Sequence, residues 1–186
     1  MKNLFVAVVV AGFFYGIFFI GNTLYRSGRV FLNNQQKADY FYELATASRA
    51  GGNDALAQQQ LERAIELVPD SKKVNLLLGD IHADAGRMAR AIGCYERGIS
   101  FPNTPDKDDV ETLFRIVKYY MTNEAVKAEF GFKKCYNEAV KIYKMILELD
   151  PGNHKALLGS ALALTKTGQH SAARKIIDNL LLRDSL

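Results

Sequence analysis

Groups that carry chemistry are scarce in this sequence. It has three histidines, His82, His154 and His170, and two cysteines, Cys94 and Cys135. No histidine has a metal-ligand neighbour at helical spacing, which argues against a metal site. Neither a P-loop nor a G-x-G-x-x-G occurs, and no serine lies in a nucleophile elbow. We therefore predict no catalytic residues, no metal and no cofactor, in a protein that is not an enzyme.

A clustered basic face is also missing. The net charge is +4, from 24 Lys and Arg against 20 Asp and Glu, and the two signs are interleaved. The local excess of lysine from Lys133 to Lys144 has Glu138 in its midst. A nucleic-acid surface would need basic residues gathered on one face. We predict no nucleic-acid partner.

Charge is absent altogether from Asn3 to Tyr25, a run of 23 residues rich in Val, Phe, Ile, Ala and Gly. As a helix this run would span roughly 34 Å, enough for a bilayer core of about 30 Å. A cleaved signal peptide is the alternative, but its apolar region is about 7–15 residues long and is followed by small residues. We predict a transmembrane anchor over residues 1–25, which contacts lipid through residues 3–25, and a juxtamembrane linker over residues 26–37.

Basic residues flank both ends of this predicted span. Lys2 and the amino terminus precede it, whereas Arg26, Arg29 and Lys37 follow it. Because positive charge favours the cytoplasmic side, the expected location is a single-pass membrane protein whose remaining chain leans to the cytoplasm. The periplasmic or extracytoplasmic side stays open, since a Met-Lys start also precedes many exported domains.

Within the span, Gly12 and Gly16 form a G-x-x-x-G pattern. Small residues at this spacing let two membrane helices pack closely, so both are candidates for membrane-helix packing. Glycine is also simply common in membrane helices, and this second interpretation stays open.

After residue 37 the sequence repeats itself. Similar stretches begin at four alanines, and they read AQQQLERAIELVP from Ala57, AIGCYERGISFP from Ala91, AVKIYKMILELDP from Ala139 and ARKIIDNLL from Ala173. A period of thirty to forty residues, made of two helices, is typical of a solenoid.

These repeats resemble the tetratricopeptide repeat family. The second copy is the clearest, with the pair Leu78-Gly79, a turn at Gly86, and Ala91 and Tyr95 in its second helix. In the first copy Phe41, Leu44, Ala45 and Ser48 stand where the family pattern has Trp, Leu, Gly and Tyr. The resemblance implies an all-α fold in which the transmembrane helix is followed by an α-solenoid of about four helix pairs. The repeat domain would cover residues 38–186, as repeats of about 38–71, 72–103, 110–153 and 154–186.

The third repeat is irregular, because its second helix starts about ten residues later than the period demands. The extra material lies around residues 123–133. It forms either a loop that projects from the array or longer helices that pack on each other. A loop here would be a candidate contact site, since insertions in solenoids often lie on a binding face.

Repeat arrays bind along the concave surface that the first helix of each pair lines. The resulting stripe combines aromatic and aliphatic side chains with charges of both signs, and it suits a peptide or an amphipathic helix. An ordinary solvated groove is the alternative. The predicted partner-binding residues on this surface are Tyr42, Thr46, Arg49, Leu76, Asp80, Phe114, Lys118, Met121, Leu158 and Leu162. Family members that hold chaperone tails use lysines, arginines and asparagines at places where only Arg115 fits here, so that ligand is disfavoured.

Apolar residues also crowd the end of the sequence. Since arrays of this kind usually carry a polar capping helix, we expect Leu181, Leu182 or Leu186 to be covered by a partner or by a second copy of the chain.

Two functions remain open at this point. The preferred one is a membrane-anchored scaffold or adaptor that recruits a protein partner through the concave surface. The alternative is a structural accessory subunit of a larger membrane complex, and a homo-oligomer formed through the G-x-x-x-G is compatible with either.

Overall fold

The computed structural model describes residues 32–100 and 105–184, and these residues contain helices but no strand. Nine α-helices follow one another within them: α1 (Asn34–Ala50), α2 (Asp54–Leu67), α3 (Lys72–Asp84), α4 (Met88–Ser100), α5 (Val110–Thr122), α6 (Glu124–Phe130), α7 (Phe132–Leu149), α8 (His154–Lys166) and α9 (His170–Asp184). A short 3-10 helix, Lys107–Asp109, precedes α5. The predicted all-α fold is confirmed for this part of the chain.

The helices pack as consecutive pairs. α1 packs on α2, α3 on α4, α5 on α7, and α8 on α9. Successive pairs are joined by contacts of α2 with α3, α4 with α5, and α7 with α8. This is the α-solenoid of four helix pairs that the repeats predict, with α6 added inside the third pair.

Three of the four pairs turn at a glycine with positive φ. Gly52, Gly86 and Gly168 have φ values of 78°, 73° and 83°. Only glycine adopts this left-handed conformation at little cost, so the chain can reverse within a few residues at each of these points. In the third pair α6 lies between the two helices, and Gly131, with φ of 88°, joins α6 to α7.

Asparagine begins four of the helices. Asn33 and Gln36 form a capping box at α1, in which each side chain accepts a hydrogen bond from the other residue's backbone N–H. Asn53, Asn123 and Asn153 each accept a hydrogen bond from a backbone N–H in the first turn of α2, α6 and α8. Such caps satisfy amide donors that have no partner within the helix.

The extra segment of the third repeat forms a helix of its own. α6 packs against α4, α5 and α7, buries Val126, and sets the Phe130 ring 6.2 Å from the ring of Tyr120. α7 then begins after Gly131 and runs for 18 residues. The segment is therefore neither a projecting loop nor only a lengthened helix, since a separate short helix is packed into the array.

The core follows the helix pairs. Apolar side chains from α1, α2 and α3, together with Cys94 of α4, form one cluster. Side chains from α4 to α8 form a second, larger one, and a small third cluster joins α8 to α9. Cys94 and Cys135 are buried in these clusters and are free. His82 is buried as well, and its Nδ1 accepts a hydrogen bond from Arg87 Nε at 3.1 Å.

Some predictions concern residues outside the described ranges. The predicted anchor over residues 1–25, with Gly12 and Gly16, is one, and Leu186 is another. Among the helices of residues 32–100 and 105–184, none is both long and apolar enough to cross a membrane.

Candidate functional site

The first helices of the four pairs, α1, α3, α5 and α8, contact one another through their exposed side chains. Lys73 of α3 pairs with Asp39 of α1 at 2.9 Å, and Arg115 of α5 pairs with Asp80 of α3. Lys155 of α8 places its Nζ 4.3 Å from the ring centroid of Phe114 in α5. These side chains therefore form one continuous surface, which we call the first-helix surface.

The α1–α3 end of this surface is held together by ion pairs centred on Asp80. One carboxylate oxygen of Asp80 lies 3.7 Å from Arg49, and the other pairs with Arg115 and accepts a hydrogen bond of 2.7 Å from the hydroxyl of Tyr95. Arg49 also pairs with Asp84 at 2.6 Å. Burial of the ring, followed by the hydrogen bond to Asp80, raises the pKa of Tyr95 above its ordinary value. Tyr95 thus stays a neutral donor beneath the ion pairs.

The second ion pair of this end involves Lys73. Besides pairing with Asp39, its ammonium lies 4.7 Å from the ring centroid of Tyr42. The neighbouring Thr46 hydroxyl donates to the carbonyl of Tyr42 at 2.9 Å. The polar groups at the α1–α3 end therefore have partners within the chain.

The opposite end, which we call the α5–α8 surface, is built differently. Its apolar side chains are Phe114, Met121, Leu158 and Leu162, and its basic ones are Lys118, Lys155 and Lys166. Leu158 and Leu162 are 58% and 52% exposed, whereas Phe114 and Met121 beside them are partly buried. The three lysines are exposed too.

Tyr143 of α7 lies beneath the α5–α8 surface. Its ring is 6.5 Å from that of Phe114, in an edge-to-face arrangement. It also packs so closely against Gly159 of α8 that a Cβ atom there would overlap the tyrosine ring. Gly159 therefore brings α8 close to α7, and this sets the position of Leu158 and Leu162.

The predicted partner-binding residues thus fall into two groups. The structure places Tyr42, Thr46, Arg49, Leu76 and Asp80 at the α1–α3 end, and Phe114, Lys118, Met121, Leu158 and Leu162 on the α5–α8 surface. In the first group Arg49 pairs with Asp80, and Asp80 also pairs with Arg115. In the second group the two leucines and Lys118 face solvent.

Three residues that shape the surface were missed at the level of sequence: Lys155, Tyr143 and Gly159. Lys155 could have been found, because it precedes Leu158 and Leu162 on the same stripe of α8, at positions i, i+3 and i+7. Gly159 was overlooked because Ala161 fits the family pattern as the small residue of this repeat. Ala161 is buried in the contact of α8 with α9, whereas Gly159 serves the contact with α7.

The predicted contact residues of α9, Leu181 and Leu182, are exposed to solvent. Leu181 and Leu182 are 63% and 65% exposed, and Ile177 beside them is 42% exposed.

Within residues 32–100 and 105–184, no group of three or more His, Cys, Asp or Glu side chains could hold a metal ion. Burial of the His82 ring lowers its pKa below the usual 6.5, and the positive charges of Arg87 and Arg90 lower it further. A neutral, buried histidine that accepts a hydrogen bond from Arg87 is a packing residue.

The paired helices, the glycine turns and the glycine-on-tyrosine contacts define an α-solenoid repeat protein. Models of the tetratricopeptide repeat match residues 42–107 and 134–185, which together make up more than half of the chain. The chain belongs to the tetratricopeptide repeat family. Such repeats bind protein partners and are in general not catalytic. No curated protein matches the sequence.

Several solved structures align with this chain. A crystal structure of MamA aligns with a TM-score of 0.52 and 17% identity over 80% of this chain and 73% of that one. MamA from MSR-1 aligns with a TM-score of 0.51 and 20% identity over 86% of this chain and 84% of that one. A mutant O-GlcNAc transferase from Thermobaculum terrenum, with a TM-score of 0.44 and 18% identity, matches over 73% of this chain and 23% of that one. At these identities the similarity concerns the fold alone.

Proposed function

We propose that this protein is a non-catalytic scaffold that is anchored in a membrane through residues 3–25 and holds a protein partner on its first-helix surface. The observation that carries the proposal is the exposure of Leu158 and Leu162 on that surface, at 58% and 52%. Exposed apolar side chains between polar neighbours are typical of protein-binding sites. The anchor would keep the bound partner at the membrane, with the repeats leaning to the cytoplasmic side.

The test is recruitment in native membranes. Leu158→Ser together with Leu162→Ser removes the apolar contact but no buried side chain, so the fold should persist. Co-purification from mild detergent extracts, read by quantitative mass spectrometry, should then lose the partner by roughly ten-fold or more, as expected for residues at an interface centre. The matched control is Leu181→Ser with Leu182→Ser, which changes two leucines of similar exposure on α9.

The alternative function is that of a structural accessory subunit of a larger membrane complex. Its support is the exposed Leu181 and Leu182 on α9, outside the first-helix surface. In that case the α9 variant, and not the Leu158 and Leu162 variant, would release companions, and the particle extracted from native membranes would be large and of fixed stoichiometry. If neither pair of substitutions changes what co-purifies, both surfaces are excluded as attachment points.

A further inference from the structure

The charges of the first-helix surface are balanced at one end and unbalanced at the other. At the α1–α3 end, Arg49 and Lys73 pair with Asp80, Asp84 and Asp39. Each cation there has a carboxylate within 4 Å. A charged partner arriving at this end would have to displace ion pairs that the chain already makes.

The lysines of the α5–α8 surface differ from the cations of the α1–α3 end. Among the described residues, none of Lys118, Lys155 and Lys166 has an acidic oxygen within ion-pair distance, although other surface lysines such as Lys141 do. α8 contains no Asp or Glu in its whole length. In α5 the acidic residue Glu111 is engaged by Arg115 at 3.5 Å. Among the described residues, the three cations of this end therefore form no ion pair.

The apolar residues lie between these cations. Lys155, Leu158, Leu162 and Lys166 follow one another at steps of three, four and four residues, so they share one stripe of α8. The two lysines are separated by roughly 16 Å along the helix. The ammonium of Lys155 lies over the ring of Phe114, with Nζ 4.3 Å from the centroid, in a cation–π contact that places its charge next to the apolar patch.

From this arrangement we infer that the α5–α8 surface binds an acidic amphipathic helix of the partner protein. The helix would place apolar side chains on Leu158, Leu162 and Phe114, and its flanking carboxylates would pair with the three lysines. The inference rests on the proposed function and deepens it, because it confines the site to one end of the array and specifies the charge of the ligand.

The experiment uses the full chain in detergent and three synthetic peptides. All three are amphipathic helices with leucine at i, i+3, i+4 and i+7, and their flanking positions carry glutamate, glutamine or lysine. The protein contains no tryptophan, so one tryptophan in each peptide reports binding without background. We expect the glutamate peptide to bind at least ten-fold tighter than the glutamine peptide at low salt, with the lysine peptide weakest. The difference should shrink at high ionic strength, because salt screens exposed charges.

A charge-matched pair of variants locates the effect. Lys118→Gln, Lys155→Gln and Lys166→Gln together should abolish the preference for glutamate. Lys133→Gln, Lys144→Gln and Lys175→Gln remove the same net charge from exposed positions on α7 and α9 and should leave the preference intact. Circular dichroism of both triple variants checks that the helices are unchanged.

The outcomes separate the inference from the proposed function. Equal affinity for the glutamate and glutamine peptides, or a preference that survives in the Lys118, Lys155 and Lys166 variant, would overturn the inference, yet Leu158 and Leu162 could still hold the native partner. If no peptide binds, the amphipathic-helix ligand is wrong. The proposed function fails only if the Leu158 and Leu162 substitutions leave co-purification of the native partner unchanged.

Discussion

At the scale of single residues, two glycines set the distance between helices. Gly79 of α3 faces the ring of Tyr95, and Gly159 of α8 faces the ring of Tyr143. A Cβ atom at Gly79 would lie 2.5 Å from a ring carbon of Tyr95, much closer than atoms in a packed core approach each other. Since Tyr95 also donates to Asp80, it cannot move away without breaking that hydrogen bond.

Gly79→Ala is therefore expected to destabilise the protein by about 1–3 kcal/mol, the usual cost of overpacking a core. The matched control is Gly93→Ala in α4, where an added Cβ would meet nothing within 4 Å. That change should be neutral or should stabilise by up to about 1 kcal/mol, because alanine is the better helix former. Urea unfolding followed by circular dichroism measures both, and equal effects of the two substitutions would contradict the prediction.

His82 makes the stability depend on pH. Burial, with Arg87 and Arg90, lowers its pKa in the folded state below 6.5. Between 6.5 and that lower pKa the unfolded chain binds the proton and the folded chain does not, so the free energy of unfolding falls as the pH is lowered through this window. Above pH 6.5 His82 is neutral in both states, and its contribution to the free energy of unfolding no longer changes with pH.

Replacement by His82→Asn keeps a hydrogen-bond acceptor for Arg87 but cannot titrate. We expect the wild type to lose more stability than this variant between pH 7.5 and 5.5 in urea titrations. Glu96 has the opposite effect on stability at lower pH. Burial raises its pKa, so as the pH falls the folded chain binds this proton before the unfolded chain does, and the free energy of unfolding rises. Both proteins share this second effect, so the difference between them isolates His82. Parallel pH profiles would show that His82 does not titrate as described.

At the scale of helices, an ion pair fastens the third repeat to the second. Lys72, at the start of α3, pairs with Asp109 at 2.7 Å, and only 3% of the Asp109 side chain is exposed. The hydrogen bond to Asp109 raises the pKa of Lys72. A second bond, from the backbone N–H of Asp106 to Asp109 at 2.9 Å, fixes the same carboxylate just before α5 begins.

Lys72→Met should cost about 1–3 kcal/mol of stability, because it leaves a buried carboxylate without its cation. In the double variant Lys72→Met, Asp109→Asn the loss should be smaller than the sum of the two single losses by about 1 kcal/mol, as for residues in direct contact. The free energy of unfolding in urea supplies all three values. Lys144→Met serves as the control, since its pair with Glu148 at 3.7 Å is exposed and such pairs contribute little. Additive losses would mean that Lys72 and Asp109 do not interact.

The helix pairs could be predicted from the sequence because each carries its own local signals. Gly52, Gly86 and Gly168 mark the turns, and Ala57, Ala91 and Ala173 recur on the second helices. The helix α6 could not be predicted, because seven residues are too few to show a helical period and its place depends on contacts with α4 and Tyr120. The pairing of Arg49 with Asp80 could not be predicted either, because the two residues come together only when separate repeats stack.

At the scale of the whole molecule, both the membrane anchor and the side of the membrane on which the repeats lie are still predictions. Cys94 and Cys135 are buried, so a membrane-impermeant maleimide should react with neither in the folded protein. The variant Ser171→Cys adds one thiol at an exposed position of α9. In intact cells it should stay unlabelled, and it should react after the membrane is opened, if the repeats face the cytoplasm. Labelling in intact cells would place them on the outer side.

The chain of ion pairs from Arg49 through Asp80 to Arg115 ties α1, α3 and α5 together side by side. Between α5 and α8 the first helices meet through Lys155 and Phe114 instead. The first helices α5 and α8 can therefore move relative to each other through exposed side chains, while α8 stays fixed to α7 by the close contact of Gly159 with Tyr143. A ligand bound between α5 and α8 would contact both helices and limit their relative motion. Its arrival should slow amide hydrogen exchange in α8 and α9 while leaving α1 to α4 unchanged.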